Sequence, residues 1–262
     1  MRGKRMDRRT FLKVAGACVL GLGVMPVTDV FGGNDLPKIL RNPNALVGKK
    51  WAMVVDMKKC WDNGEEGCVD CIRACHRTHN VPNIGNAKEE IKWIWTASYE
   101  NAFPDQKNEY MEESLKGKPF IVLCNHCANP PCVRVCPTKA TFKREDGIVI
   151  MDYHRCIGCR YCMAACPYGA RSFNFKDPRP FIAEVNPKFP TREKGVVEKC
   201  NFCAERLAEG LLPACVEACK HGALVFGDLE DPESNVRKIL RSNYIIQRKP
   251  QLGTKPNIYY IV

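Results

Sequence analysis

No apolar stretch in these 262 residues is long enough for an ordinary membrane span; Val14 to Val27, the nearest to one, is short and rich in Gly and Ala. No clear Ala-x-Ala site follows it, which leaves both cleavage and retention as an anchor open. Acid is scarce. Asp and Glu total 29 against 40 Lys and Arg, a formal net charge of +11, which first suggests nucleic acid or an anionic membrane surface. No set of side chains resembles a substrate-binding catalytic site, so catalysis is expected on another chain. Apolar residues are not lacking: 45% hydrophobic content supplies a globular core and argues against disorder. The length suits one large domain or two ordinary ones.

The abundant residue is cysteine, with seventeen copies. That number demands disulfides or metal. Sixteen fall into four quartets. The first is Cys60, Cys68, Cys71 and Cys75. The second is Cys124, Cys127, Cys132 and Cys136, spaced C-x2-C-x4-C-x3-C-P. The third is Cys156, Cys159, Cys162 and Cys166, spaced C-x2-C-x2-C-x3-C-P. The fourth is Cys200, Cys203, Cys215 and Cys219, spaced C-x2-C-x11-C-x3-C.

The third run is the bacterial ferredoxin pattern unaltered, whose fourth cysteine serves a second cluster. Two-residue gaps let a tight turn point successive sulfurs at neighbouring irons, and loop N–H groups then face the anionic cubane. A short helix is expected from the third cysteine, stopped by Pro137 and Pro167 after Cys136 and Cys166. Lys139-Ala140, Gly169-Ala170 and Gly222-Ala223 recur just beyond, an internal repeat that argues for duplicated units. Four quartets are enough for four 4Fe–4S clusters.

The charge then acquires a different meaning. Residues 1–33 hold Arg2, Lys4, Arg5, Arg8, Arg9 and Lys13 against Asp7 and Asp29, and without them 34 basic and 27 acidic residues remain. Each oxidised cubane with four thiolates carries about −2, so four carry about −8 and nearly cancel the excess. Nucleic acid loses its main support as a partner.

Zinc, disulfides and thiol redox catalysis compete with this view. Paired C-x2-C also builds structural zinc sites, but these have no use for a fourth cysteine at x3 followed by Pro. Disulfides fit poorly between cysteines on one turn. A catalytic C-x2-C explains one pair and not four quartets. His76, His79 and His126 lie near or within the quartets, yet each quartet already has four thiols, so they are expected to tune a cluster by hydrogen bonding.

At the N-terminus, Asp7-Arg8-Arg9-Thr10-Phe11-Leu12-Lys13 before the apolar run resembles the twin-arginine export motif, with Asp where Ser or Thr commonly stands. That route carries folded proteins, so clusters built on reduced thiols would cross intact. Cys18 in this segment reads as a small apolar residue.

Elsewhere, 91–95, 119–123, 148–152 and 223–226 read as short strands. Asp231-Pro232 is expected to cap a brief helix carrying Val236, Ile239 and Leu240. The tail 244–262, basic and then aromatic, would wrap a partner or staple the domain.

The whole pattern resembles the four-cluster ferredoxin-like subunits of membrane redox complexes over residues 49–230. The stretches Cys124-Asn-His-Cys-Ala-Asn-Pro-Pro-Cys, Thr141-Phe-Lys-Arg-Glu-Asp-Gly and Val197-Glu-Lys-Cys-Asn-Phe-Cys-Ala-Glu-Arg are similar to the DsrO type, the exported subunit of DsrMKJOP (Hme-like) sulfite-reduction complexes. One departure is visible, since seven residues separate Cys60 from Cys68 where many members have two. The resemblance implies crossed ligation: Cys60, Cys68 and Cys71 with Cys219; Cys200, Cys203 and Cys215 with Cys75; Cys124, Cys127 and Cys132 with Cys166; Cys156, Cys159 and Cys162 with Cys136. It implies an NrfD-type membrane quinone protein and a multihaem cytochrome as partners, on the outer face of the cytoplasmic membrane.

The expected architecture is α+β, two interlocked double-cluster ferredoxin-like units with loop-rich insertions. A signal segment at 1–33 precedes inner quartets at 119–172, outer quartets at 49–80 and 196–230, and a helix and tail at 231–262. The expected function is relay of single electrons. The alternatives are the iron–sulfur wiring subunit of a molybdenum reductase and, from another class, a zinc-stabilised binding module.

Overall fold

The computed structural model describes residues 42–62, 68–106, 110 and 115–262. The expectations for residues 1–33, Cys18 included, lie outside them.

Strand β1, Trp51–Asp56, is a continuous apolar run whose Ala52 to Val55 are buried on both faces. A strand with no polar face has to be central, and β1 is. It pairs antiparallel with β8, Leu224–Asp228, matching Met53 to Phe226, and parallel with β9, Ile258–Ile261, matching Met53 to Ile258. The tail thus staples the sheet. Trp51 stacks on Phe226 at a centroid distance of 5.0 Å on one side of it. Val236 and Leu229 pack on Ala52 and Val54 on the other.

Three two-stranded ladders surround this sheet. Strand β2 (Ile94–Ser98) pairs with β3 (Pro119–Leu123), β4 (Thr141–Lys143) with β5 (Val149–Met151), and β6 (Ser172–Phe173) with β7 (Val197–Glu198), all antiparallel. Strands and short helices are mixed, as an α+β class requires. The expected strand at 91–95 begins three residues later. Trp93 is instead fully buried before the strand, its Nε1 donating to Glu198 Oε2 at 2.9 Å. The C-terminal helix is Asn235–Ser242, and its N-cap is Ser234, whose Oγ accepts from Arg237 N at 3.2 Å. Asp231 does not cap it. Its carboxylate accepts from Glu233 N at 2.9 Å in the preceding turn, one helical turn too early.

One buried ion pair ties the 186–199 segment to the rest. Arg192 and Glu198, both completely buried, approach to 2.7 Å. Glu198 also accepts from Asn174 Nδ2 at 2.6 Å, while Arg192 donates to the carbonyls of His79 and Asn80. Among the described residues no helix is long and apolar enough to cross a membrane.

Candidate metal centres

The local structure around the quartets repeats. The helices Pro131–Arg134, Tyr161–Ala164 and Ala214–Glu217 each carry the third cysteine of a run, Cys132, Cys162 and Cys215. Two residues beyond each helix stands the fourth, Cys136, Cys166 or Cys219. Three residues further on, Lys139, Gly169 and Gly222 adopt positive φ of 54°, 62° and 60°. That reversal turns backbone N–H groups onto the fourth sulfur. Ala223 N donates to Cys219 Sγ at 3.2 Å. The Ala170 and Tyr168 amides serve Cys166, and those of Thr138, Ala140 and Thr141 serve Cys136. The Ala that recurs in sequence is the residue whose amide does this. In the first run no Pro follows Cys75, and one helix, Asp70–Thr78, continues through both Cys71 and Cys75.

A second reversal precedes the second cysteine of three runs: His126, Gly158 and Phe202 have φ of 41°, 71° and 54°. Gly158 is constrained twice, because a Cβ there would also meet Gly195 O at 2.5 Å.

The described cysteines are free thiols, and they gather in four groups. Cys60, on the helix Met57–Trp61, comes near Cys68, Cys71 and Cys219; burial first, then Cys219, Cys68 and the Asp56 carboxylate push its thiol up to about 12. Cys75 lies with Cys200, Cys203 and Cys215, all buried. Cys124, Cys127, Cys132 and Cys166 line a small closed cavity with Tyr168 and Arg171. Cys136, Cys156, Cys159 and Cys162 line another, where Cys159 is exposed.

The electrostatics of these thiols fit a metal cluster. Burial, and then mutual proximity, raises Cys71 and Cys127 to about 12 and carries Cys75, Cys203 and Cys215 well above the ordinary thiol range. Four thiolates cannot coexist in such a space without a cation between them. Yet the surroundings are arranged for thiolates. Besides the amides above, Ala214 N donates to Cys203 Sγ at 3.4 Å, Phe202 N to Cys200 Sγ at 3.5 Å and Arg171 Nη2 to Cys132 Sγ at 3.0 Å. Donors of this kind reward a charged sulfur and do little for a neutral one. The Cys136 thiol is lowered on balance: burial acts upward, but the Thr141, Thr138 and Ala140 donors outweigh it.

The histidines do not compete as ligands. His79 lies within reach of Cys203 and Glu205, but its Nε2 is 2.8 Å from Glu205 Oε1 and its Nδ1 is 2.9 Å from Cys75 O. His126 accepts from Val149 N through Nδ1 at 3.1 Å and stacks on Phe202.

Two of the buried cations, those beside the cysteines, carry no signal in the sequence. Besides Arg171 there is Lys199, whose Nζ donates to the carbonyls of Val149 and Cys200. Burial lowers its affinity for a proton, and Cys124 and Cys200 are the nearest thiols acting the other way. No motif marks either residue, and only the fold reveals that they are buried. A groove of about 640 Å³ between Asp70–Thr78 and residues 181–184 contains no cysteine.

Cavities lined by thiols, runs whose last two cysteines face neighbouring groups and N–H donors aimed at sulfur define a ferredoxin-like electron carrier. Residues 118–179 and 185–229 match the 4Fe-4S dicluster domain. The chain is 43% identical to the Hdr-like menaquinol oxidoreductase iron-sulfur subunit 1 of Archaeoglobus fulgidus, over 97% of both proteins. It is 38% identical to the arsenate respiratory reductase iron-sulfur subunit ArrB of a Shewanella species, over 80% of this chain and 94% of that one. With the iron-sulfur cluster-binding subunit of the Nitratidesulfovibrio vulgaris menaquinone reductase it shares 37% identity over 81% of this chain and 88% of the other. The chain belongs to this family of iron–sulfur electron-transfer subunits of membrane-associated quinone oxidoreductase complexes, and its cofactors are 4Fe–4S clusters rather than zinc.

Proposed function

We propose that the chain is a DsrO-type subunit that relays single electrons through four 4Fe–4S clusters, one held by each group of four cysteines. The electrons pass between an NrfD-type membrane quinone protein and a further redox subunit, a multihaem cytochrome, in a sulfite-reduction-associated complex. The subunit is exported folded by the twin-arginine route and is held at the outer face of the cytoplasmic membrane through its partners. The two double-cluster units interlock, because the outer groups draw on both ends of the cysteine array.

The observation that carries this reading is that the last two cysteines of each run, four residues apart, face different groups. Cys71 and Cys75 do so on one helix; Cys132 and Cys136, Cys162 and Cys166, and Cys215 and Cys219 do so with the second of each pair two residues beyond a helix. Cys200 and Cys124 stand close enough to affect each other, which brings an outer group beside an inner one. Four sites in sequence, each close to the next, suit electron hopping and serve no purpose in a zinc module. Chemically, the clusters supply one-electron redox change; the protein fixes their spacing, keeps water out and sets their charge environment.

A second reading, the wiring subunit of a molybdenum reductase, is favoured by the likeness to the iron–sulfur subunit of a respiratory reductase. Purification of the intact complex separates the two. About 16 iron and 16 acid-labile sulfide per chain, with NrfD-type and haem subunits, is the expected result. Co-purifying molybdenum would favour the second reading, and stoichiometric zinc without sulfide would sink both.

A further inference from the structure

Arg171 is a buried charge that the ligand groups leave unexplained. It is 4% exposed and follows Ala170, whose amide serves Cys166. Its Nη2 donates to Cys132 Sγ at 3.0 Å and to Thr141 Oγ1 at 2.8 Å, and its Nη1 to Met151 Sδ at 3.6 Å. Its Nε has no partner, and among the described residues no carboxylate pairs with it. Met151, which it touches, lines the neighbouring cavity together with Cys162, on which its charge also acts.

A guanidinium stripped of water and given no carboxylate is costly. Burial works against its charge, while Cys132, Cys162 and Cys124, in that order, outweigh the loss. The compensating anions are therefore the sulfur sites on its two sides. Arg171 is the one arginine lining the Cys124–Cys127–Cys132–Cys166 cavity, and through its contact with Met151 it borders the Cys136–Cys156–Cys159–Cys162 cavity, where its charge acts on Cys162.

We propose that Arg171 is a shared counter-charge for the two inner clusters, a positioning residue that raises the reduction potential of both. The inference rests on the ligation proposed above. Its sign follows from electrostatics: reduction adds one negative charge to a cluster, and a fixed cation beside it favours the reduced form. Because one guanidinium faces both sites, both potentials rise relative to the outer pair, and the Cys124 site, whose Cys132 it bonds directly, rises more. Hydrogen bonds to sulfur and net charge are established determinants of cluster potential.

The test is potentiometric EPR on the full chain loaded with clusters, comparing wild type, Arg171→Gln and Arg171→Lys. In Arg171→Gln both inner clusters should shift at least tenfold toward the oxidised form at fixed potential, about 59 mV for a one-electron couple. The outer clusters should stay in place, and Arg171→Lys, which keeps the charge, should shift less. Iron and sulfide are measured on the same samples. A wild-type protein without 4Fe–4S clusters would defeat the proposed function itself. A loaded Arg171→Gln protein with unmoved inner clusters, or with all four moved equally, would overturn only the role of Arg171. If the glutamine variant fails to load, electron–nuclear double resonance on wild-type protein carrying guanidinium-15N arginine decides the matter. A 15N coupling in the Cys124-site signal is expected, and its absence overturns the proposal.

Discussion

Cys60 is the residue on which the cluster count turns. Its run is the irregular one, and residues 63–67 between it and Cys68 are not among those described. The thiol nevertheless stands with Cys68, Cys71 and Cys219, on a helix whose N-cap Asp56 accepts from Lys59 N at 3.3 Å. The Asp56 carboxylate pairs with Lys59 at 3.4 Å and acts on the Cys60 thiol only through its charge. Cys60→Ser should alter or abolish one EPR signal and leave three intact. Four unaltered signals would make Cys60 a spectator. A second test concerns Cys136, which follows the helix of Cys132 by two residues but faces the other cavity. Cys136→Ala should damage the cluster of Cys156, Cys159 and Cys162 and spare that of Cys124, Cys127 and Cys132. The opposite pattern would refute crossed ligation.

Among the elements, those set by local chemistry are legible in the sequence and those set by distant partners are not. The cysteine runs, their short helices and β3 at 119–123 follow from spacing, proline and an apolar run. The strand β1 is hidden because Lys49-Lys50 and Lys58-Lys59 make its surroundings look like surface, and its neighbours β8 and β9 lie far along the chain. The C-terminal helix is legible, but its cap is not, since Asp231 and Ser234 are both good caps and tertiary packing decides between them. The Arg192–Glu198 pair is the extreme case: two ordinary surface residue types, wholly buried and joined to Trp93 and Asn174. Glu198→Ala leaves Arg192 buried without its anion, and removal of one partner of such a pair costs about 3–5 kcal/mol. The denaturation midpoint of the loaded protein should fall accordingly. A loss below about 1 kcal/mol would mean that water reaches Arg192.

For the whole molecule, the tail does more than complete a sheet. Before β9 it crosses the loop of the second run: Ala128 N and Asn129 N donate to Lys255 O and Thr254 O, and Asn257 Nδ2 donates to His126 O at 2.7 Å. Thr254 Oγ1 also meets the Tyr168 hydroxyl and the Cys127 thiol. Deleting residues 254–262 removes these clamps together with the buried Ile258, Tyr260 and Ile261. Each such side chain contributes about 1.5–3 kcal/mol, and the sum is a large part of a domain's usual 5–15 kcal/mol. The truncated chain should therefore fail to accumulate with iron, not merely lose the Cys124-site signal. Recovery of three or four native EPR signals from it would contradict this.

The partners of β1 at Met53 are Phe226 and Ile258, the latter about 200 residues away. A ribosome delivers them in that order, long after β1 itself has emerged. Until then the central strand has two open edges, and Cys60 waits for Cys219. On the ligation proposed above, the outer sites would fill only after nearly all of the chain has been translated. A nonsense codon before position 258 yields material for proteases, not a shorter wire.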